Sequence, residues 1–239
     1  MKNLFLLLLC FPLFLFAQEE EKKSNLYEVV NIEVIRGQED DFEAAIKAHN
    51  EQYHNDGDYR AFLMYNVNGP LGGHYSWVMG PTNWAAMDDR PGEGAHDDDW
   101  DKVDQHVASY SSPGYWSLSD KLSHIARDER YSKRLVWMYD VKSGKYARFS
   151  ELIAKVKEVY MEKRPDESYW VVWNEFANGD KGWDVALIFG MDKWAEMDEN
   201  SPFGPLYEEV HGPGTWHNFL NDFMDTVDGR IDWIRFVVD

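Results

Sequence analysis

Val30, Ile32 and Val34 alternate with Asn31 and Glu33, the period of two expected of a strand with one buried face, and the β-rich run 29–38 closes on a turn glycine, Gly37. The period then lengthens. Phe42, Ile46, His49 and Tyr53 fall at i, i+4, i+7 and i+11, which predicts a helix with a single apolar stripe. A second strand follows over 59–66, then "GPLGG" at 69–73 as a hairpin turn, then a third strand over 74–79. The later sequence runs through a similar order. "VWMYDVKSGK" (136–145) ends at Gly144, Phe149, Ile153, Val156 and Tyr160 repeat the helical stripe, and strands are expected over 169–176 and 184–189. Each third strand opens onto nearly the same words, "GPTNWAAMDD" at 80–89 and "GMDKWAEMDE" at 190–199. Thr82 or Asn83, and Asp192, are positioned to cap the short helix that follows. Trp84 with Met87, and Trp194 with Met197, then share one helix face as packing anchors.

Beyond these words the two parts diverge. Trp216, Phe219, Leu220, Phe223, Met224 and Val227 predict an amphipathic helix that stops at Asp228 and Gly229 before a strand over 231–238. Trp100, Val103 and Val107 form the best earlier counterpart, with a strand expected within 121–130. Aligning "PGYW" (113–116) with "PGTW" (213–216) instead makes the helical stripes disagree. Each part then reads βαββαβ, over 27–131 and 132–239.

With that element order the chain resembles the tandem form of the dimeric α/β-barrel superfamily, nearest to secreted relatives of stress-responsive and antibiotic-monooxygenase-type barrels. The resemblance implies an α+β fold of two ferredoxin-like repeats packed sheet to sheet, with each repeat covering the other's apolar sheet face and the chain monomeric. It also implies that a helix histidine can face the cavity, as a haem ligand or a general base. No family-specific catalytic motif accompanies it, and the cofactor is left open.

The first residues change the picture of where the protein works. Lys2, the apolar run 4–16 and Ala17 read as a secretory signal over 1–17, cleaved before Gln18 and followed by a linker over 18–26, so export to the periplasm or exterior is expected. Cys10 is the single cysteine, and the mature chain must therefore fold without disulfides. A net charge of −19 argues against nucleic acid and anionic membrane as partners. No later segment is long and apolar enough to span a bilayer.

Strand phase sorts the candidate chemistry. If Val30, Ile32 and Val34 meet helices, Asn31 and Glu33 face the barrel interior, and the same phase sends Met138 and Asp140 inward. Glu33 and Asp140 would form a carboxylate pair able to bind a cation or act as acid and base, unless solvated or paired with Arg235. His49 stands on the buried stripe where the later helix has Val156, with His54 and His74 nearby in sequence. The ligand-binding candidates are therefore Asn31, Glu33, His49, His74, Asp140 and Arg235, with His49 the candidate catalytic base. "HDDDWDKVD" (96–104) lacks the glycine and terminal glutamate of an EF-hand loop, and its acidic residues suit a helix N-terminus. His106, His124, His211 and His217 show no recurring ligand spacing; no metal site is expected, and phosphate loops and dinucleotide fingerprints are absent. Of eleven tryptophans, Trp77, Trp137, Trp170, Trp173 and Trp183 lie in or beside strands, and a fraction must line the space between them. These features lead to an exported protein that binds a small, partly aromatic molecule in its barrel. The alternatives are a cofactor-independent monooxygenase, isomerase or cyclase of the same fold, and a structural or interaction protein with a filled barrel.

Overall fold

The computed structural model describes residues 24–126, 131–176, 183–198 and 202–238. The proposed signal segment 1–17 and residues 127–130 of the expected strand lie outside them.

Among the described residues nine strands and six α-helices follow one another as β1 (Leu26–Val34), α1 (Glu39–Tyr53), β2 (Ala61–Asn66), β3 (Tyr75–Thr82), α2 (Trp84–Asp88), α3 (Ala95–Asp104), β4 (Val107–Tyr110), β5 (Gly114–Leu118), β6 (Lys133–Val141), α4 (Tyr146–Lys163), β7 (Tyr169–Asn174), β8 (Val185–Met191), α5 (Phe203–His211), α6 (Thr215–Thr226) and β9 (Val227–Val238). Every pairing is antiparallel. Around the sheet the order is β3, β2, β9, β6, β8, β7, β5, β1, and β1 returns to β3, so eight strands close a barrel. Short β4 continues the β1 edge where β5 leaves it: Leu26–Val29 pair with β5 and Ile32–Val34 with β4.

This arrangement corrects the expectation of two ferredoxin-like sheets stacked face to face. The strands form one continuous barrel that runs across the 131/132 boundary. β9 is 12 residues long. It pairs with β6 along one edge and with β2 along the other, Leu63 opposite Val238 and Asn66 opposite Arg235. The second seam joins Trp116 to Asn174 and Leu118 to Val172. Closure leaves no backbone edge among these eight strands unpaired, which two separate four-stranded sheets would not achieve.

The helices pack on the outside. Phe42 and Ile46 of α1 and Val103 of α3 bury against Ile32, Leu63, Tyr75 and Trp77. Phe149, Ile153 and Tyr160 of α4 bury against Tyr139, Tyr169, Val171 and Leu187. α5, which the hydrophobic pattern did not signal, packs on α4 and α6 through Tyr207, beside Leu152, Val159 and Phe219. Three other expectations also change. Val107 begins β4 instead of extending a helix, Asp228 and Gly229 lie within β9 instead of ending α6, and 121–126 carry only a bridge between His124 and Tyr169. Asn83 does cap α2, accepting from the backbone N–H groups of Ala85 and Ala86, but the Asp192 side chain accepts from Ser132 instead. Trp84 and Trp194 are not buried anchors: they are 45% and 50% exposed. Among the described residues no helix is long and apolar enough to cross a membrane.

Candidate functional site

The period of two that drives outward side chains under the helices drives their neighbours into the barrel. From β1 these are Tyr27, Val29 and Asn31, from β6 Arg134, Val136 and Met138, and from β9 Ile231, Trp233 and Arg235. Trp170 and Val172 come from β7, Ser76 and Val78 from β3, and Trp116 from β5. Together they enclose a cavity of about 460 Å³. The barrel is therefore open inside, not filled.

The cavity's charge is opposite to that of the chain. Arg60, Arg134 and Arg235 line it, and among the described residues no Asp or Glu does, although the protein carries a net charge of −19. Arg134 and Arg235 are direct register partners across β6 and β9. Burial, and then the charge of Arg134, pull the Arg235 guanidinium down to about 9, which leaves it cationic at neutral pH. Its Nε is buried with no acceptor among the described residues. Arg134 lies over the Trp170 ring at 5.0 Å and over Phe62 at 5.8 Å, where the ring faces favour a cation. Burial raises the pKa of the Tyr27 phenol against the opposing effect of Arg134, so Tyr27 enters the cavity as a neutral hydroxyl.

A chain of hydrogen bonds fixes the polar floor. Trp233 Nε1 donates to Asn66 Oδ1 (3.1 Å), Asn66 Nδ2 to Ser76 Oγ (2.9 Å), and Ser76 Oγ to Asn31 Oδ1 (2.7 Å). It crosses β9, β2, β3 and β1 and holds the Asn31 amide in one orientation.

Of the six ligand-binding candidates, Asn31 and Arg235 stand on the cavity wall and the other four do not. Glu33 is exposed and accepts from Ser109 Oγ at 2.8 Å. His74 folds onto the Leu71 carbonyl at 3.3 Å in the β2–β3 connection. Asp140 sits with Asp184 and Asp228; burial and then Asp184 raise its pKa, and no pair with Glu33 is formed. Trp170 and Trp183 line the cavity, whereas Trp77, Trp137 and Trp173 pack on the helix side. Trp116 escaped the sequence because β5 was not recognised. Trp233 shares the phase of Arg235 two residues away and was legible from it.

His49 is fully buried between α1 and α3 and takes no part in the cavity wall. Its Nδ1 meets Asp99 Oδ2 at 2.9 Å, and its ring packs on those of Tyr53, His54, His96 and Trp100. Desolvation lowers its pKa against the opposing Asp99 hydrogen bond, and desolvation lowers that of His54 to about 4. A haem bound by a helix histidine in the barrel does not fit these residues: His49 lies outside the cavity wall, and among the described residues no histidine or cysteine lines the cavity.

No family profile and no curated protein matches the sequence. Solved structures do resemble the fold. A candidate monooxygenase from Fusobacterium nucleatum aligns with a TM-score of 0.57 at 12% identity, over 90% of this chain and 93% of its own. One from Lactobacillus acidophilus aligns at 0.55 and 12% over 91% and 95%, and an anthrone oxidase-like protein at 0.54 and 11% over 91% and 93%. Chlorite dismutases, among them one from Candidatus Nitrospira defluvii at a TM-score of 0.52 and 8% identity over 90% and 92%, share the same architecture. All of these neighbours are dimeric α/β-barrel proteins, and this chain has their fold.

Proposed function

We infer that the barrel is the active site of a monooxygenase or oxidase acting on a small planar molecule that carries a phenolate, enolate or carboxylate. One observation carries the reading: among the described residues, three arginines and no carboxylate line an aromatic-walled cavity inside an acidic protein. Tryptophan faces hold a flat ring system, and buried guanidiniums stabilise negative charge far better than water-exposed ones. Stabilising a conjugate anion lowers the pKa of the bound acid, and an electron-rich carbanion or phenolate can itself reduce dioxygen. For an activated methylene the balance is CH2 + O2 → C=O + H2O, with both reducing electron pairs taken from the substrate. In this scheme Arg134 and Arg235 hold the anion, Asn31 orients it, and Tyr27 offers a neutral hydroxyl to a developing oxyanion. The monooxygenase and anthrone oxidase names of the fold's neighbours support oxygen chemistry.

The test uses the full mature chain with planar anions such as salicylate and naphtholate, their neutral methyl ethers, and anthrone as an oxidisable probe. Anions are expected to quench tryptophan fluorescence at least about tenfold more tightly than the ethers, and anthrone to consume one O2 per ketone formed. Equal binding of ethers and anions, or binding unchanged in Arg235→Leu, would overturn the anion site. Anion binding without oxygen uptake would overturn the oxygenase and leave a binding protein.

A further inference from the structure

Outside the barrel, three histidines from separate places in the sequence meet beneath α1 and α3. His49 lies in α1, His54 directly follows that helix, and His96 is the second residue of α3. One ring nitrogen of each lies within 4.8 Å of the other two. The remaining ring nitrogens are all engaged. His49 Nδ1 faces Asp99 Oδ2 at 2.9 Å, His54 Nδ1 faces the Tyr59 carbonyl at 2.7 Å, and His96 Nδ1 faces Asp97 Oδ1 at 3.0 Å. Carbonyl and carboxylate oxygens accept only, so each Nδ1 carries the proton, and in the neutral ring Nε2 keeps the lone pair that can bind a cation.

That geometry is unfavourable unless something positive lies among the lone pairs. His54 Nε2 and His96 Nε2 are 3.2 Å apart. A proton shared between these two would satisfy them, but it would leave the third: His49 Nε2 is fully buried without a hydrogen-bond partner among the described residues. A metal ion satisfies all three. Two imidazoles bound to one tetrahedral zinc at the usual bond length have their nitrogens roughly 3.3 Å apart, the spacing already present between His54 and His96. The outer nitrogens meet two carboxylates and a backbone carbonyl, the partners that orient metal-bound imidazoles and strengthen them as donors. A cavity of about 400 Å³ adjoins the cluster and is walled in part by His54, His96, Asp97, Trp100 and Arg90, giving solvent and small anions a path to it.

We propose that His49, His54 and His96 form a mononuclear site for a divalent transition ion, zinc in the first place, with a fourth position open to this outer cavity. The all-imidazole donor set excludes magnesium and calcium, which take oxygen ligands. The site is separate from the barrel and stands whether or not the barrel binds an anion.

The experiment takes the full mature chain, prepared without a histidine tag and stripped with a chelator, and adds zinc or cobalt(II). One equivalent should bind per chain. Cobalt should develop the intense visible bands of a four-coordinate nitrogen-rich site, and zinc should displace it and raise Tm. His96→Ala, at the rim of the cluster, should abolish stoichiometric binding, and Asp99→Asn should weaken it by about 10- to 100-fold. His54→Gln serves as a second ligand variant if His96→Ala does not fold. Failure of the folded apo-protein to bind either ion at micromolar concentration, binding of unchanged affinity in both ligand variants, or a six-coordinate cobalt spectrum typical of oxygen ligands would overturn the proposal.

Discussion

A guanidinium whose Nε is buried without an acceptor among the described residues, and which faces a second guanidinium across the sheet, costs the fold stability, and Arg235 is such a group. Replacing it with Leu should stabilise the ligand-free protein by roughly 1–3 kcal/mol, seen as a rise of several degrees in Tm, while abolishing anion binding. A lower Tm in Arg235→Leu would show that the guanidinium supports the barrel instead of serving a ligand. Asp140 offers the converse case in pH. Its pKa is raised from 3.8, by burial and then by Asp184, so the fold favours the neutral acid. The stabilising contribution is present below the unfolded value and lost as pH rises through the folded one. At pH 7 the carboxylate opposes folding, so Asp140→Asn should raise Tm by roughly 2 °C there. The gain should vanish below about pH 4. Melting curves at both pH values check it, and a gain that persists in acid would point to packing instead of charge.

The seams of the barrel are unequal. β6 and β9 are aligned over nearly their whole length, whereas β5 and β7 meet only from Trp116 to Leu118. Local opening follows the number of backbone bonds that must break together. Hydrogen exchange should therefore show β5 amides exchanging well before those of β6, with anion binding slowing β5 because Trp116 and Trp170 flank that seam from inside. Amides of β5 as protected as those of β6 would contradict this. The same elements explain what periodicity detected. α1 and α4 are long and carry stripes that meet the sheet, so Phe42, Ile46, Phe149 and Ile153 were legible. β4 and β5 hold four and five residues with little buried contrast between faces, too short a pattern to register.

At the scale of the whole molecule, closure depends on strands from both ends of the chain, since β2 pairs with β9 and β5 with β7. Segments ending at 131 and starting at 132, expressed apart, would each expose strand edges that the intact chain pairs. Each alone should aggregate or remain unstructured, and co-expression should restore the barrel, visible as a single cooperative melt of the mixture. A monomeric, cooperatively folded first segment would count against interdependence.

Alternation along β1, β6 and β9 and the 3.6-residue stripes of α1 and α4 are local properties, set by which neighbouring side chains share a face, and the sequence by itself determined them. It therefore placed Asn31 and Met138 inward, together with Glu33 and Asp140, which the cavity wall does not include; it assigned both long helices and marked His49 as an unusual ring on a buried stripe. The closing partners of the sheet, the exposure of Trp84 and Trp194, and the separation of Glu33 from Asp140 were decided only in three dimensions. The meeting of His96 with His49 and His54 belongs with them: the cluster joins residues about 45 positions apart, and no helical or strand period reaches that far. Tertiary packing alone decides which faces confront each other.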